Sequence, residues 1–326
     1  MIVSRTPLRV SFFGGGSDLP VYYREHGGAV LSASIDKYVY LCLNRGFGDG
    51  VRVAYSKTEE VAHASQLEHR LFRTVLTKLG VEGGVEIASI ADIPSRGSGL
   101  GSSSAFTVGL LNAVHAWQGR RPTREALAAE ACEVEIDLCG DPIGKQDQYG
   151  AAMGGLNFIR FNADDSVVVE PLHAPRATLD EVHGSLMMFY TGLTRSAGDL
   201  LQVQSDNLAA DPDKRRATAR MARMAEEMRE ALTAGEAAAM GEALHEGWML
   251  KRAMAANISS GFLDDVYAAA RAAGATGGKL LGAGGGGFFL FWVPENRKDA
   301  VRAALPNLRE TPFTLDTVGA SIVLQS

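Results

Sequence analysis

Apolar positions along the chain fall first into short alternating runs and later into long helical periods. Residues 8–13, 28–32, 37–44 and 51–55 carry β-branched and aromatic side chains between Gly and Asp turns, which predicts strands. Residues 58–79 show the helical period, and 85–88 form another short strand. The stretch AFTVGLLNAVHAW at 105–117 is apolar almost all round, the pattern of a helix buried on every side. Thr123, followed by Arg-Glu-Ala, is placed to cap the next helix, and the GDP at 140–142 ends it. Residues 155–190 read as strands, 198–273 as almost wholly helical, and 286–293 and 313–324 as strands again. Strands first and helices later predict an α+β fold with a boundary near 165–180.

The chain has 326 residues, 46% of them apolar, enough for a full core in two domains or one large one. A net charge of −6, with no basic run longer than the triplet at 214–216, lacks the footprint of a nucleic-acid or membrane-surface binder. The expected partner is a small molecule. Cys42, Cys132 and Cys139 are odd in number and form no CxxC pair, so they read as buried hydrophobes in a reducing compartment. No segment resembles a signal peptide, and no apolar run approaches the roughly 18 residues of a membrane span, so the cytoplasm is expected.

The segment PSRGSGLGSSSA at 94–105 feeds straight into the apolar helix. Gly97, Gly99 and Gly101 let the backbone curl and turn N–H groups inward, and Ser102, Ser103 and Ser104 are expected to cap the helix, whose N-terminal end favours an anion. This is a phosphate cradle. It lacks the lysine of a Walker loop, so its cation must come from elsewhere. Gly282, Gly284 and Gly287 match GxGxxG but run into FFLFW, a strand where a dinucleotide fingerprint needs a helix. A third cluster, GGGSD at 14–18, ends the first strand. Its Asp18 can receive hydrogen bonds from a hydroxylated ligand or serve as an ordinary turn aspartate.

On the helix after Thr123, stepping about 100° per residue, Leu127, Ala131, Val134 and Leu138 form an apolar stripe widened by Ala128, Cys132 and Cys139. Glu130, Glu133 and Asp137 lie opposite. Glu135 falls about 80° from Leu127, inside the apolar arc. A partly buried carboxylate needs a partner: a magnesium ion held against phosphates, a buried arginine, or water at the edge of the arc. Beyond the helix, Asp147 lies in an expected loop between Gly144 and Gly150, as a base, a hydroxyl-orienting group or a solvated loop aspartate. The histidines show no ligand-like spacing. Trp248 and the methionines from 221 to 254 lie at helical spacing suited to packing.

Three separated motifs in order, RTPLRVSFFGGGSD, PSRGSGLGSSSA and KLLGAGGGGFFLF, resemble the superfamily of galactokinase, homoserine kinase, mevalonate kinase and phosphomevalonate kinase, the GHMP kinases. With GKQDQYGAAMGG and YTGLTRSA added, the chain is most similar to the bacterial D-glycero-D-manno-heptose 7-phosphate kinases, whose 1,7-bisphosphate product leads to GDP-heptose for surface polysaccharides. The resemblance implies a two-domain α+β fold, with an N-terminal ribosomal-protein-like, ATP-binding domain over 1–170 and a C-terminal ferredoxin-like domain over 171–326. It implies ATP and magnesium as cofactors. Pro94 and the loop from Gly97 through Ser98, Gly99, Leu100 and Gly101 to Ser104 would wrap the ATP phosphates, with Ser103 and Glu135 on the metal. Asp147 falls at the catalytic aspartate. Arg9 falls where relatives often carry lysine, and should act as an electrostatic clamp, since arginine stays protonated. Gly15, Gly16 and Asp18 would meet the sugar, and the glycines from Gly284 through Gly285 to Gly287 would let the backbone pack close against the phosphate loop and the substrate. Arg195 is the first candidate for the sugar's distal phosphate, with Arg24, His26 and Lys279 behind it. Another sugar 1-kinase such as a fucokinase, an ATP-dependent decarboxylase and a non-catalytic ligand sensor remain alternatives. The long helical stretch offers a face for a homodimer.

Overall fold

A computed structural model describes residues 1–94, 97–194 and 197–326. Its first sheet is built on two long strands, β1 (Ile2–Phe13) and β2 (Gly28–Arg45), paired antiparallel with Arg9 opposite Ser34. The runs at 28–32 and 37–44, expected as two strands, are one. β2 is long because its other edge serves two partners in succession: β6 (Leu156–Phe161) along Gly28–Ala33, and β5 (Val85–Ala91) along Val39–Arg45. β6 carries β7 (Val167–Pro171), and β5 pairs in parallel with β3 (Val51–Ala54).

The helical period at 58–79 is only half realised. Thr58–Val61 is a strand, β4, turned back on β3, and the helix α2 spans Arg70–Lys78. Strand pairing overrides local propensity here. Glu59 on this strand is buried and accepts from Tyr55 Oη and from the backbone N–H groups of Glu68 and His69.

Against β1 and β2 packs α3 (Ser102–Trp117), buried on all sides as its composition requires, with α4 (Arg124–Cys132) and α5 (Gln146–Met153) beside it. Thr123 caps α4 as expected, Oγ1 accepting from Ala126 N–H at 3.2 Å. Between 155 and 190 the expected strands are interrupted by a helix, α6 (Arg176–Ser185). It buries Thr178 and Val182, one turn apart, a helical spacing too brief to register as a period.

The second sheet contains β8 (Leu186–Tyr190), β9 (Gly277–Leu280), β10 (Phe288–Trp292) and β11 (Arg309–Glu310), in the order β11-β8-β10-β9. Helices α7 (Ala197–Ala210), α8 (Pro212–Ala234), α9 (Ala239–Arg252) and α10 (Gly261–Ala273) lie between its first two strands in the chain, and α11 (Lys298–Ala304) between its last two. That is the β-α-β-β-α-β arrangement of a ferredoxin-like unit. Its core is aromatic, with Trp248 edge-on to Phe289 at 5.9 Å. The last strand, β12 (Ser321–Gln325), leaves this sheet and pairs antiparallel with β1. The chain end expected in a domain over 171–326 therefore completes the first sheet, whose edge at β1 is otherwise open. Among the described residues, no helix is long and apolar enough to cross a membrane.

Candidate active site

Gly97, Gly99 and Gly101 all take positive φ, at 64°, 75° and 73°, a conformation that side chains disfavour and that curls the loop. The serines do not cap α3. Gly101 is its N-cap, Ser102, Ser103 and Ser104 fill the first turn, and the first helical bond runs from Ala105 N–H to the Gly101 carbonyl at 2.9 Å. With no side-chain cap, the first-turn N–H groups and the positive end of the helix are left for a ligand. All three serines line a cavity of about 720 Å³ between the two sheets.

The loop is braced from behind by the turn before β10. A Cβ on Gly99 would lie 2.3 Å from the Leu281 carbonyl oxygen, and one on Gly282 2.3 Å from Gly99 Cα. Gly287 makes a similar approach to Ser98. Gly284 and Gly285, expected at the substrate, face Ile258 instead: the Gly285 N–H donates to the Ile258 carbonyl at 2.9 Å, and neither glycine lines the cavity. Leu100 has its side chain in the core, and its carbonyl accepts from Arg9 N–H at 3.0 Å. Pro94 is exposed and does not line the cavity either.

Arg9, 3% exposed, reaches from β1 across the cavity floor. Its Nη1 donates to the Gly99 carbonyl at 2.8 Å, while Nε and Nη2 donate to Asp147 Oδ1 at 2.8 and 2.6 Å. Both bonds to Asp147 end on one oxygen, leaving Oδ2 outside the Arg9 fork. Asp147 is not in a loop: it sits in the first turn of α5, with its side chain 27% exposed toward the cavity. Gly150, one turn on, leaves room for the Arg9 stem, since a Cβ there would meet Arg9 Cγ at 3.1 Å.

Asp18 is buried beside this pair. Its carboxylate accepts from Gly16 N–H, Gln146 N–H and Gln146 Nε2 at 3.0 to 3.1 Å, fixing the start of α5 next to Asp147. Burial, with the Asp147 charge adding, raises its pKa. A carboxylate has about four acceptor positions, so one is left for a ligand hydroxyl. Gly15 and Gly16 line the same wall.

Glu135 is 0% exposed and lies in a π-helical turn, Glu133–Leu138, continuing α4. The wider turn changes the helical phase, and for that reason Leu138, expected in the apolar stripe, is 52% exposed. Ser103 Oγ donates to Glu135 Oε1 at 2.8 Å and Gln148 Nε2 to Oε2 at 2.6 Å. Burial raises this carboxyl to about 7, against the pull of hydrogen bonds from Ser104, Ser103 and Gln148, with the Asp147 charge adding to the rise. Among the described residues no cation pairs with it.

A model of the GHMP kinase N-terminal domain matches residues 60–155 and one of the GHMP kinase C-terminal region matches 228–309, together more than half of the chain. The chain belongs to the GHMP kinases. The D-glycero-alpha-D-manno-heptose 7-phosphate kinase of Campylobacter jejuni is 29% identical over 97% of this chain and 98% of its own. The crystal structure of a D-glycero-D-manno-heptose 1-phosphate kinase from Bacteroides thetaiotaomicron superposes with a TM-score of 0.81, at 28% identity and over 100% of both chains. A bifunctional fucokinase/GDP-fucose pyrophosphorylase of Arabidopsis thaliana is 28% identical over 90% of this chain but 30% of its own.

As a GHMP kinase the protein uses ATP, and in and behind its cavity lie groups that the sequence pattern did not single out. Gln146 and Gln148 flank Asp147 and hold Asp18 and Glu135; their polar spacing in GKQDQYG was the available signal. Lys251, at the end of α9 beside Arg252, looks like a solvated helix end in sequence, yet it lines the cavity with Met221 and Met224 of α8. Of the cations expected behind Arg195, Lys279 lines it from β9. Arg24 is exposed and paired with Asp165, and His26 is exposed, so neither reaches the site. Arg195 lies outside the described residues.

Proposed function

We propose that this kinase transfers the γ-phosphoryl group of ATP to the anomeric hydroxyl of D-glycero-α-D-manno-heptose 7-phosphate, giving the 1,7-bisphosphate. The observation that carries the reading is one carboxylate, Asp147, with one oxygen locked by Arg9 and the other unlocked, facing the cavity into which the N-terminus of α3 opens. Phosphoryl transfer asks a protein chiefly for positioning and for charge stabilisation. In this reading the loop from Gly97 to Ser104 cradles the ATP phosphates with backbone N–H groups. Arg9, permanently protonated, faces the charge shared between the β- and γ-phosphates. Asp147 Oδ2 accepts a hydrogen bond from the sugar hydroxyl, which fixes its lone pair toward the γ-phosphorus. The sugar O–P bond forms as the bond to the ADP oxygen breaks, and the hydroxyl proton passes to Asp147. Such base assistance is worth about 10²- to 10⁴-fold. Asp18 uses its remaining acceptor position for a second sugar hydroxyl.

Magnesium fits the donor set. Ser103 and Glu135 present hard oxygens 2.8 Å apart, and Glu135 is a buried carboxylate with neutral donors as its hydrogen-bond partners. Mg²⁺ takes one or two protein oxygens and keeps phosphate and water as its other ligands. Bound there, it would neutralise charge on the phosphate oxygens.

The heptose assignment is supported by the two relatives that match over the full length, one a heptose 7-phosphate kinase and the other a heptose 1-phosphate kinase. A coupled ADP-release assay with heptose 7-phosphate, mannose 6-phosphate, fucose and mevalonate tests it. Heptose 7-phosphate is expected to lead in kcat/KM by at least about tenfold. A lead for fucose would replace this reading with that of a kinase for an unphosphorylated sugar.

A further inference from the structure

Four described cations line the cavity: Arg9, Arg70, Lys251 and Lys279. Two are neutralised in place. Arg9 is bound to Asp147, and Arg70 pairs with Asp141 at 2.5 Å while donating to the Cys139 carbonyl. The other two have no such partner. Lys279, buried on β9, donates to the Phe12 carbonyl at 2.8 Å, and Lys251, partly buried on α9, donates to the Gly282 carbonyl. Among the described residues neither ammonium pairs with a carboxylate. Each group has three N–H donors and gives one to a carbonyl, so two on each remain for a ligand.

Placing two ammonium groups without an ion-pair partner beside Arg9 is unfavourable, and the Asp147 and Asp18 charges offset this only in part at Lys251. Burial first, and then the Arg9 charge, bring Lys251 down to about 8; burial, with Lys251 and Arg9 adding, holds Lys279 well below the ordinary lysine range. A dianion shared between them would reverse that penalty. Neutral sugar hydroxyls would not.

We propose that Lys251 and Lys279 form the subsite for the phosphate that the sugar already carries, making them the specificity determinants for a phosphorylated substrate. The proposal rests on the sugar-phosphate kinase reading above. Compact ammonium groups with rotatable donors suit a phosphate whose position shifts with sugar length. In that reading the backbone donors of the α3 N-terminus and Arg9 serve the nucleotide phosphates, and Arg70 is paired with Asp141, so among the described residues of the cavity the two lysines are the cations left over.

The test is steady-state kinetics of wild type, Lys251→Met, Lys251→Arg and Lys279→Met, with heptose 7-phosphate, unphosphorylated heptose and ATP varied in turn. Loss of one charge-assisted contact should raise KM for heptose 7-phosphate about 10- to 100-fold. The loss of kcat/KM should be at least about tenfold smaller for the unphosphorylated heptose, and Lys251→Arg should recover most of the defect. Equal losses on both sugars, or a rise confined to the KM for ATP, would overturn the subsite; the latter would assign the lysines to the nucleotide. Because Lys279 is buried, its variant is read together with Lys251→Met, which alters a partly exposed side chain. If wild type does not turn over heptose 7-phosphate, the functional reading fails separately, and calorimetric binding of mannose 6-phosphate against mannose still decides. An affinity gain from the phosphate that Lys251→Met abolishes supports the subsite, and a gain unchanged in the variant refutes it.

Discussion

Replacing Glu135 with glutamine keeps the shape of a buried side chain while removing its charge, and its effect on stability should depend steeply on pH. Burial lifts this carboxyl from an ordinary 4.5 to about 7 in the folded protein. Between those values the folded state holds a proton that the unfolded chain has released, so stability falls as pH rises from 4.5 through 7 and stays low above it. At about 1.36 kcal/mol per pH unit, that gap corresponds to about 3 kcal/mol. The glutamine variant lacks the effect, since its amide can donate to Ser103 Oγ while its oxygen still accepts from Gln148. The two proteins should be nearly equal in stability at pH 5, with the variant the more stable at pH 8. An unfolding entropy of about 2.1 cal/mol/K per residue turns this into a Tm gap of about 4–5 °C. Calorimetric melts in chelator from pH 5 to 8.5 measure it directly. Adding magnesium-ATP at pH 8 should raise the wild-type Tm more than the variant's, because a cation at Ser103 and Glu135 supplies the missing countercharge. Parallel Tm-versus-pH curves for the two proteins would refute the claim that Glu135 is a buried carboxyl awaiting a cation.

Other consequences are as direct. Asp147→Asn should lower kcat by about 10²- to 10⁴-fold while equilibrium dialysis shows ATP still bound, and preserved turnover would remove Asp147 from the chemistry. Gly99→Ala places a Cβ 2.3 Å from the Leu281 carbonyl at a φ of 75°. It should raise the KM for ATP by at least about tenfold, and an unchanged KM would show that the brace behind the loop is dispensable.

Much of this site was legible because its constraints are local. Alternate glycines running into an apolar helix can hardly be anything but a left-handed loop on a helix start, and a carboxylate inside an apolar arc announces itself on a helical wheel. The finer errors have specific physical sources. Three serines look like caps, but Gly101 alone tolerates the positive φ that the cap position needs here. The wheel for Leu138 assumed a uniform turn, which the π-helical segment breaks. Thr58–Val61 has helical spacing and becomes a strand because the edge of β3 is open to it. Gly284 and Gly285 belong to a motif that does touch the phosphate loop, yet the contact is made by Gly282 and Gly287, a distinction only backbone direction can make. Lys251 was invisible for a different reason. A lysine ending a helix ordinarily reaches water, and only the packing of α9 against β9 and β1 turns this one into the cavity.

The central claim is that the cavity phosphorylates the anomeric oxygen of a heptose that already carries a phosphate at its far end. Phosphorus NMR of a reaction containing ATP, magnesium and D-glycero-α-D-manno-heptose 7-phosphate tests it most directly. One new sugar phosphorus resonance coupled to the anomeric proton is expected, with the original 7-phosphate signal retained. A new phosphate coupled to any other sugar proton, or ATP left unconsumed while an unphosphorylated sugar is turned over, would contradict it.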